Sequence, residues 1–162
     1  VRDDDPQLSV RDVATTRQPL RVLVDSKLEI SPTARILQDG PVLIVGAVEN
    51  AEKMALLRST GNFVEILNNS AGKVDLKALL ELLAQRGINE VHAEAGFKLN
   101  GSLLGEGLVD ELLLYLAPCL IGHEASGLFN LPALTTLDGK QRLQIRDVRQ
   151  VGADIRVIAR PL

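Results

Sequence analysis

Val42-Leu43-Ile44-Val45-Gly46, a run with no polar member that follows Pro41, constrains the fold of this chain more than any other segment. A strand with one wet face alternates polar and apolar residues. An unbroken apolar run needs cover on both faces, as in a parallel sheet between helical layers. The flanking segments fit that demand. Leu20-Arg21-Val22-Leu23-Val24 is a β-rich run ending at Asp25-Ser26. Asn50 to Ser59 reads as a short amphipathic helix, with Asn50 as N-cap and Gly61 as stop. Phe63-Val64-Glu65-Ile66-Leu67 is the next strand. Asp75 then caps a strongly periodic helix through Arg86, with Leu76, Leu79, Leu80 and Leu83 on one face and Gly87 ending it. Ile88 to Ala93 is a further expected strand, and Leu99 to Glu106 a helix with Leu103 on its inner side. Strands alternating with helices predict a largely parallel α/β sheet.

The pattern changes after residue 108. Val109 to Pro118 reads as a long strand, and a Gly- and Pro-punctuated loop follows from Ile121 to about Leu137. Leu143–Val151 and Asp154–Ala159 alternate polar and apolar residues around Gly152-Ala153, which predicts a hairpin with one wet face. The expected fold class is therefore α/β, a mixed, mostly parallel sheet with flanking helices and a C-terminal antiparallel hairpin. Residues 1–19, with an acidic cluster, Pro6 and Pro19, read as loop. No initiator Met is present, and the expectation is that the chain is part of a longer protein.

Composition narrows the function classes. At 162 residues the chain has the length of about one domain, and 46% hydrophobic with 24% charged residues are the proportions of a globular one. A formal net charge of −3 supplies no basic field for nucleic acid or anionic lipid, and 2% aromatics leave no stacking platform for single-stranded nucleic acid. No apolar run reaches the roughly 20 residues of a membrane span and no signal peptide is visible, so the expected compartment is the cytoplasm. The single cysteine, Cys119, excludes an internal disulfide, and its apolar neighbours predict a buried, unreactive thiol. His92 and His123 make no metal set; His92 reads as structural and His123 as a loop residue. Ser70, Ser102 and Ser126 lack a nucleophile-elbow context.

One junction carries chemistry. Asn89-Glu90-Val91-His92-Ala93 ends on Glu94, turns through Ala95-Gly96 and passes into the helical pattern of Phe97-Lys98-Leu99-Asn100-Gly101-Ser102. Free N–H groups at a helix N-terminus are suited to phosphate, and a carboxylate lies beside them. The same pattern also serves as a plain tight turn.

Five motifs in order resemble one family: Asp4-Asp5-Pro6-x-Leu8-x-Val10-Arg11; Arg21-Val22-Leu23-Val24-Asp25-Ser26; Glu94-Ala95-Gly96-x-x-Leu99; Gly107-Leu108-Val109-Asp110-Glu111-Leu112; and Ala117-Pro118 with the Gly122 loop. Along essentially the whole chain they resemble the C-terminal reductase domains of bifunctional riboflavin biosynthesis proteins of the RibD type. The resemblance implies a dihydrofolate reductase-like fold, NADPH as cofactor, and reduction of the ribosyl group of 5-amino-6-(5-phosphoribosylamino)uracil to the ribitylamino product. It also implies a homodimer, for which the strand at 109–117 and the hairpin offer a face.

The resemblance places Gln7, Leu8, Arg11 and Glu94 at the substrate, with Arg11 as the natural ligand of its 5-phosphate. It places Asp4, Ser26 and the loop Gly96, Phe97, Lys98, Leu99, Asn100, Gly101 and Ser102 at the cofactor. Ala95 stands where many relatives have a second glycine, and Phe97-Lys98 replaces smaller residues. No side chain is assigned as catalytic, no metal is expected, and water or substrate is left to supply the proton. The family's reductase domain normally begins some tens of residues earlier, and bifunctional members carry a zinc deaminase domain upstream. The chain is thus expected to be a single reductase domain, residues 1–162, without its first strand and helix. Two other readings stay open: a related pteridine- or pyrimidine-directed reductase, and a catalytically incomplete domain that retains fold and dimerisation.

Overall fold

In the computed structural model, which describes residues 4–162, the apolar run Val42–Gly46 is the central strand β2 of a parallel sheet. Its neighbours are β1 (Arg21–Val24) and β3 (Phe63–Ile66), in the order β1-β2-β3. Arg21 pairs with Val42 and Val24 with Val45; Leu43 pairs with Phe63 and Gly46 with Ile66. Val42 to Val45 are all 0% exposed, so the sheet is covered on both faces as the run demands. Leu23, Leu28, Ile30, Ile36, Leu37, Leu57 and Val64 complete this core. The helix α1 (Ala51–Ser59) links β2 to β3; the Asn50 carboxamide accepts from the Lys53 amide at 3.0 Å, and Gly61 takes a φ of +86° after the stop. Helix α2 (Leu76–Gln85) is capped by Asp75, which accepts from the Ala78 amide at 2.9 Å, and it buries Leu76, Leu79 and Leu83.

The chain divides into two compact units, the first ending at Asn89 and the second spanning Glu90–Leu162. The second contains α3 (Phe97–Gly105) and an antiparallel sheet in the order β4-β6-β5, from β4 (Leu112–Leu116), β5 (Leu143–Val151) and β6 (Asp154–Pro161). Gly152 opens the two-residue hairpin turn with a φ of +61°, and Arg146 is bulged out between the Ile145–Ala159 and Asp147–Ile158 pairs. The register puts Leu112, Leu114, Leu116, Ile155, Val157, Ile145 and Val148 on one face. Asp147, Arg149 and Arg156 lie on the other, where Asp147 accepts from both arginines at 2.8–3.0 Å. The Arg149 hydrogen bond first, then that from Arg156, draws the Asp147 carboxyl down from its usual 3.8 to about 2.

The expected α/β class is present, with helices beside parallel strands and a C-terminal antiparallel hairpin, and the parallel and antiparallel strands each form a three-stranded sheet. Individual elements depart from expectation. Ile88–Ala93 makes no ladder: its β-rich composition has no strand to pair with among the described residues, and Val91 remains 49% exposed. The strand expected over 109–118 is only Leu112–Leu116, because its partner β6 turns at Asp154 just past the Leu116–Ile155 pair, and Pro118 has no N–H to donate. Cys119 is exposed rather than buried, since the chain leaves the sheet before it. Helix α3 begins at Phe97, two residues earlier than its apolar spacing suggests. Residues 4–19 are irregular as expected, and Leu20, expected in the first strand, precedes it; the expected loop's Val1-Arg2-Asp3 lie outside the described residues. No helix among the described residues is long and apolar enough to cross a membrane.

Candidate functional site

The candidate residues fall in both units: Asp4, Gln7, Leu8, Arg11 and Ser26 in the first, Glu94 and Gly96–Ser102 in the second. In the first unit the loop after Asp4 is unusually contorted. Asp5, Leu8 and Asp12 have φ of +40°, +52° and +61°, values that side-chain-bearing residues rarely adopt. The carboxylate of Asp5 accepts from the Arg35 amide at 2.9 Å. The Gln7 carboxamide donates to Asp39 and accepts from the Arg35 guanidinium at 3.3 Å. Leu8 is partly buried against the core. Gln7 and Leu8 are thus occupied in holding the loop, whereas Asp4 and Arg11 are exposed, and the Arg11 guanidinium has no protein partner among the described residues.

Ser26 follows β1 at the carboxyl end of the parallel sheet, where α/β proteins bind ligands. Its carbonyl accepts from the Ala47 and Val48 amides at 2.9 and 3.2 Å, locking this turn to the end of β2. Asp25 accepts from the Ile30 amide at 2.8 Å and is a structural cap. The Ser26 hydroxyl has no partner among the described residues.

In the second unit, Glu94 is exposed on an extended segment, and its carboxylate lies 3.5 Å from His92 Nε2. The sequence pattern marks His92 only as structural; the two-residue spacing of an extended chain, which puts both side chains on one side, is the signal for the pair. Gly96 is the N-cap of α3, with φ −75°, ψ 167° and no side-chain cap. The first bond closing the helix is Asn100 N–H to Gly96 O, at 3.1 Å, so the amides of Phe97, Lys98 and Leu99 have no acceptor among the described residues. Ala95 lies outside the left-handed region, so its side chain is no obstacle to the turn.

A segment distant in sequence braces this turn. The Asn130 amide donates to Phe97 O at 2.9 Å, and the Asn100 carboxamide donates to Ala95 O at 3.0 Å and Leu128 O at 3.4 Å. Gly101 makes the contact sterically feasible: a Cβ there would lie 2.3 Å from the Asn130 carbonyl oxygen. Asn100 and Gly101 therefore hold the seat together, and the unclaimed donors are the amides of residues 97–99. With the partial positive charge of a helix N-terminus and the Lys98 ammonium, these donors fit a phosphate group.

The RibD C-terminal domain family model matches residues 1–157. The chain is 34% identical to the riboflavin biosynthesis protein RibD of Escherichia coli (strain K12), over 94% of this chain and 44% of that protein. It is 31% identical to the 5-amino-6-(5-phosphoribosylamino)uracil reductase of Buchnera aphidicola subsp. Acyrthosiphon pisum, over 98% of this chain and 75% of that one. Among solved structures, Acinetobacter baumannii RibD superposes with a TM-score of 0.83 at 33% identity, over 98% of this chain and 44% of the other. The chain spans less than half the length of these RibD proteins.

Proposed function

This chain belongs to the RibD C-terminal domain family, with a dihydrofolate reductase-like α/β fold, and on that footing we propose that it carries the reductase step of riboflavin biosynthesis. The reaction is NADPH-dependent reduction of the ribosyl group of 5-amino-6-(5-phosphoribosylamino)uracil to the ribitylamino product. The observation that carries this reading is the braced seat at Gly96–Ser102, whose three unclaimed amides begin three residues beyond Glu94. Those amides and Lys98 would hold the cofactor phosphates; Asp4 and the Ser26 hydroxyl would hold further polar groups of the cofactor. When bound, NADPH supplies the hydride that reduces the ribosyl C1′. The bond from C1′ to the ring oxygen breaks, and that oxygen takes a proton from water.

The chain's own contribution is positioning rather than acid–base chemistry. Arg11, whose fork of donors is unclaimed, takes the 5-phosphate in bidentate fashion. Glu94 accepts hydrogen bonds from ribityl or uracil groups and orients the carbon to be reduced. The residues flanking Arg11 give the loop its shape, with Gln7 and Leu8 reaching the substrate through their backbone. A second copy of the chain is the partner this reading supplies for the exposed apolar face of β4-β6-β5, and the cytoplasm is its compartment.

The full-length protein, supplied with NADPH and the phosphoribosylaminouracil, is expected to oxidise NADPH only when the pyrimidine is present, with the ribitylamino compound as product. Turnover of folate analogues instead would favour a pteridine-directed reductase. Absence of turnover with either would leave the reductase reading without support.

A further inference from the structure

Arg21, the first residue of β1, is 6% exposed in the core of the first unit, and no carboxylate lies within ion-pair distance of it among the described residues. Backbone oxygens meet its charge instead. One terminal nitrogen donates to Ile36 O at 2.8 Å and to Gln7 O at 3.3 Å, and the other donates to Gly40 O at 2.7 Å. Burying a cation is unfavourable unless such bonds are made, and only the guanidinium fork reaches several separated acceptors at once. A strand position in an apolar core is ordinarily filled by an aliphatic residue, so the cation needs a reason beyond packing.

Its acceptors supply one. Ile36 and Gly40 belong to the turn between β1 and β2, and Gln7 to the loop that leads to Arg11. That loop holds Asp5, Leu8 and Asp12 at positive φ, a path that local preferences do not favour and that contacts from outside must maintain. The contacts of Asp5 and Gln7 with Arg35 and Asp39 are exposed to competing water, whereas the bond from Arg21 is partly buried. We infer that Arg21 is a positioning residue for the substrate side of the site. By tying Gln7 O to the 35–40 turn, it sets the course of the chain from Gln7 to Arg11 and so the place from which Arg11 meets the phosphate. This deepens the proposed function and rests on Arg11 as phosphate ligand.

The test compares Arg21→Met and Arg21→Lys with the wild type in the full-length protein, by amide hydrogen exchange and by steady-state kinetics. Arg21→Met is expected to speed exchange across residues 5–12 by about tenfold or more while β1, β2 and β3 keep wild-type protection. It is expected to raise KM for the phosphorylated pyrimidine about tenfold, with kcat within about twofold and KM for NADPH unchanged. Arg21→Lys, which keeps the charge and part of the bonding, should fall between Arg21→Met and wild type on both measures. Unchanged exchange in residues 5–12 would overturn the inference. Joint loss of protection in the loop and the sheet would overturn it too, by making Arg21 merely structural. So would an unmoved KM in a wild type that turns the substrate over. Should the wild type not reduce this substrate, the reductase reading fails on its own, and the exchange profile still decides whether Arg21 holds the loop.

Discussion

The parallel sheet and the antiparallel sheet of this molecule bury their apolar residues to very different extents. In β2, four consecutive residues are 0% exposed, and the loops at the sheet's ends are tied down by buried polar groups such as Arg21 and Asn62. In β5, by contrast, Ile145 is 64% and Val148 56% exposed, although both lie on the apolar face of their sheet. The same face of β4 and β6 leaves Leu116 and Ile155 about half exposed. A continuous apolar run thus finds its cover within its own unit. An alternating sheet can fold on hairpin hydrogen bonds and still present an apolar face, and such faces mark interaction surfaces.

Truncation in each sheet breaks this comparison most forcefully. Ile44→Ala is expected to destabilise by about 2–5 kcal/mol in denaturant unfolding, from lost burial plus a cavity the sheet cannot close. Ile145→Thr in dilute protein should stay within about 0.5 kcal/mol of wild type, as surface changes do. Equal losses at the two positions would abolish the contrast. If a second copy covers the antiparallel sheet, the Ile145→Thr loss should grow with protein concentration.

Gly101→Ala probes the braced seat in the second unit. A methyl group directed at the Asn130 carbonyl forces the helix and the 128–130 segment apart, so the expected cost is about 1–3 kcal/mol of stability, with weaker NADPH binding by fluorescence titration. Gly96→Ala meets nothing within 4 Å and has a negative φ, so it should fold normally. Wild-type behaviour of Gly101→Ala would show that the segment does not brace α3.

The smallest effect is expected from the Asp147 cluster, in which Asp147 and Arg156 are partly buried and Arg149 is exposed. Its native carboxyl titrates near 2, below the ordinary 3.8, so its pairing with Arg149 and Arg156 stabilises the hairpin fully above about pH 4. Between pH 4 and 2 the unfolded chain takes up the proton first, and the contribution falls; below about pH 2 it is gone. Thermal melts of Asp147→Asn should therefore lie slightly below wild type at neutral pH and converge with it in acid. A gap that widens in acid would reverse the sign of this linkage.

Features that depend on neighbouring residues were legible in the sequence. Asn50 and Asp75 cap their helices because a short acceptor precedes a free amide, and Gly61 and Gly87 take positive φ where a helix must stop. The hairpin and the covered strand follow from period-two and unbroken apolar patterns. Features that depend on remote partners were not. Whether Ile88–Ala93 joins a ladder depends on a neighbouring strand, and the exposure of Cys119 depends on where β6 turns. Gly96 is a cap without a side chain, so the start of α3 carries no signal of its own. At the candidate site, the Glu94–Gly96 junction could be read locally, but the reach of Asn130 across Gly101 and the hold of Arg21 on Gln7 span gaps no spacing rule covers. Gln7 and Leu8 show the same limit: their motif position is visible, while their engagement with Asp39, Arg35 and the core emerges only on folding.

A reductase site with Arg11 on a substrate phosphate must discriminate between phosphorylated and dephosphorylated substrate. Substrate-dependent NADPH oxidation by the full-length protein is measured for the phosphorylated pyrimidine and its dephosphorylated form, in wild type and Arg11→Ala. A charge-assisted contact contributes about 1.5–3 kcal/mol, so wild type should favour the phosphorylated form by about tenfold to a hundredfold in kcat/KM, and Arg11→Ala should erase that preference. An undiminished preference in Arg11→Ala, or none in wild type, would show that Arg11 does not hold the substrate phosphate.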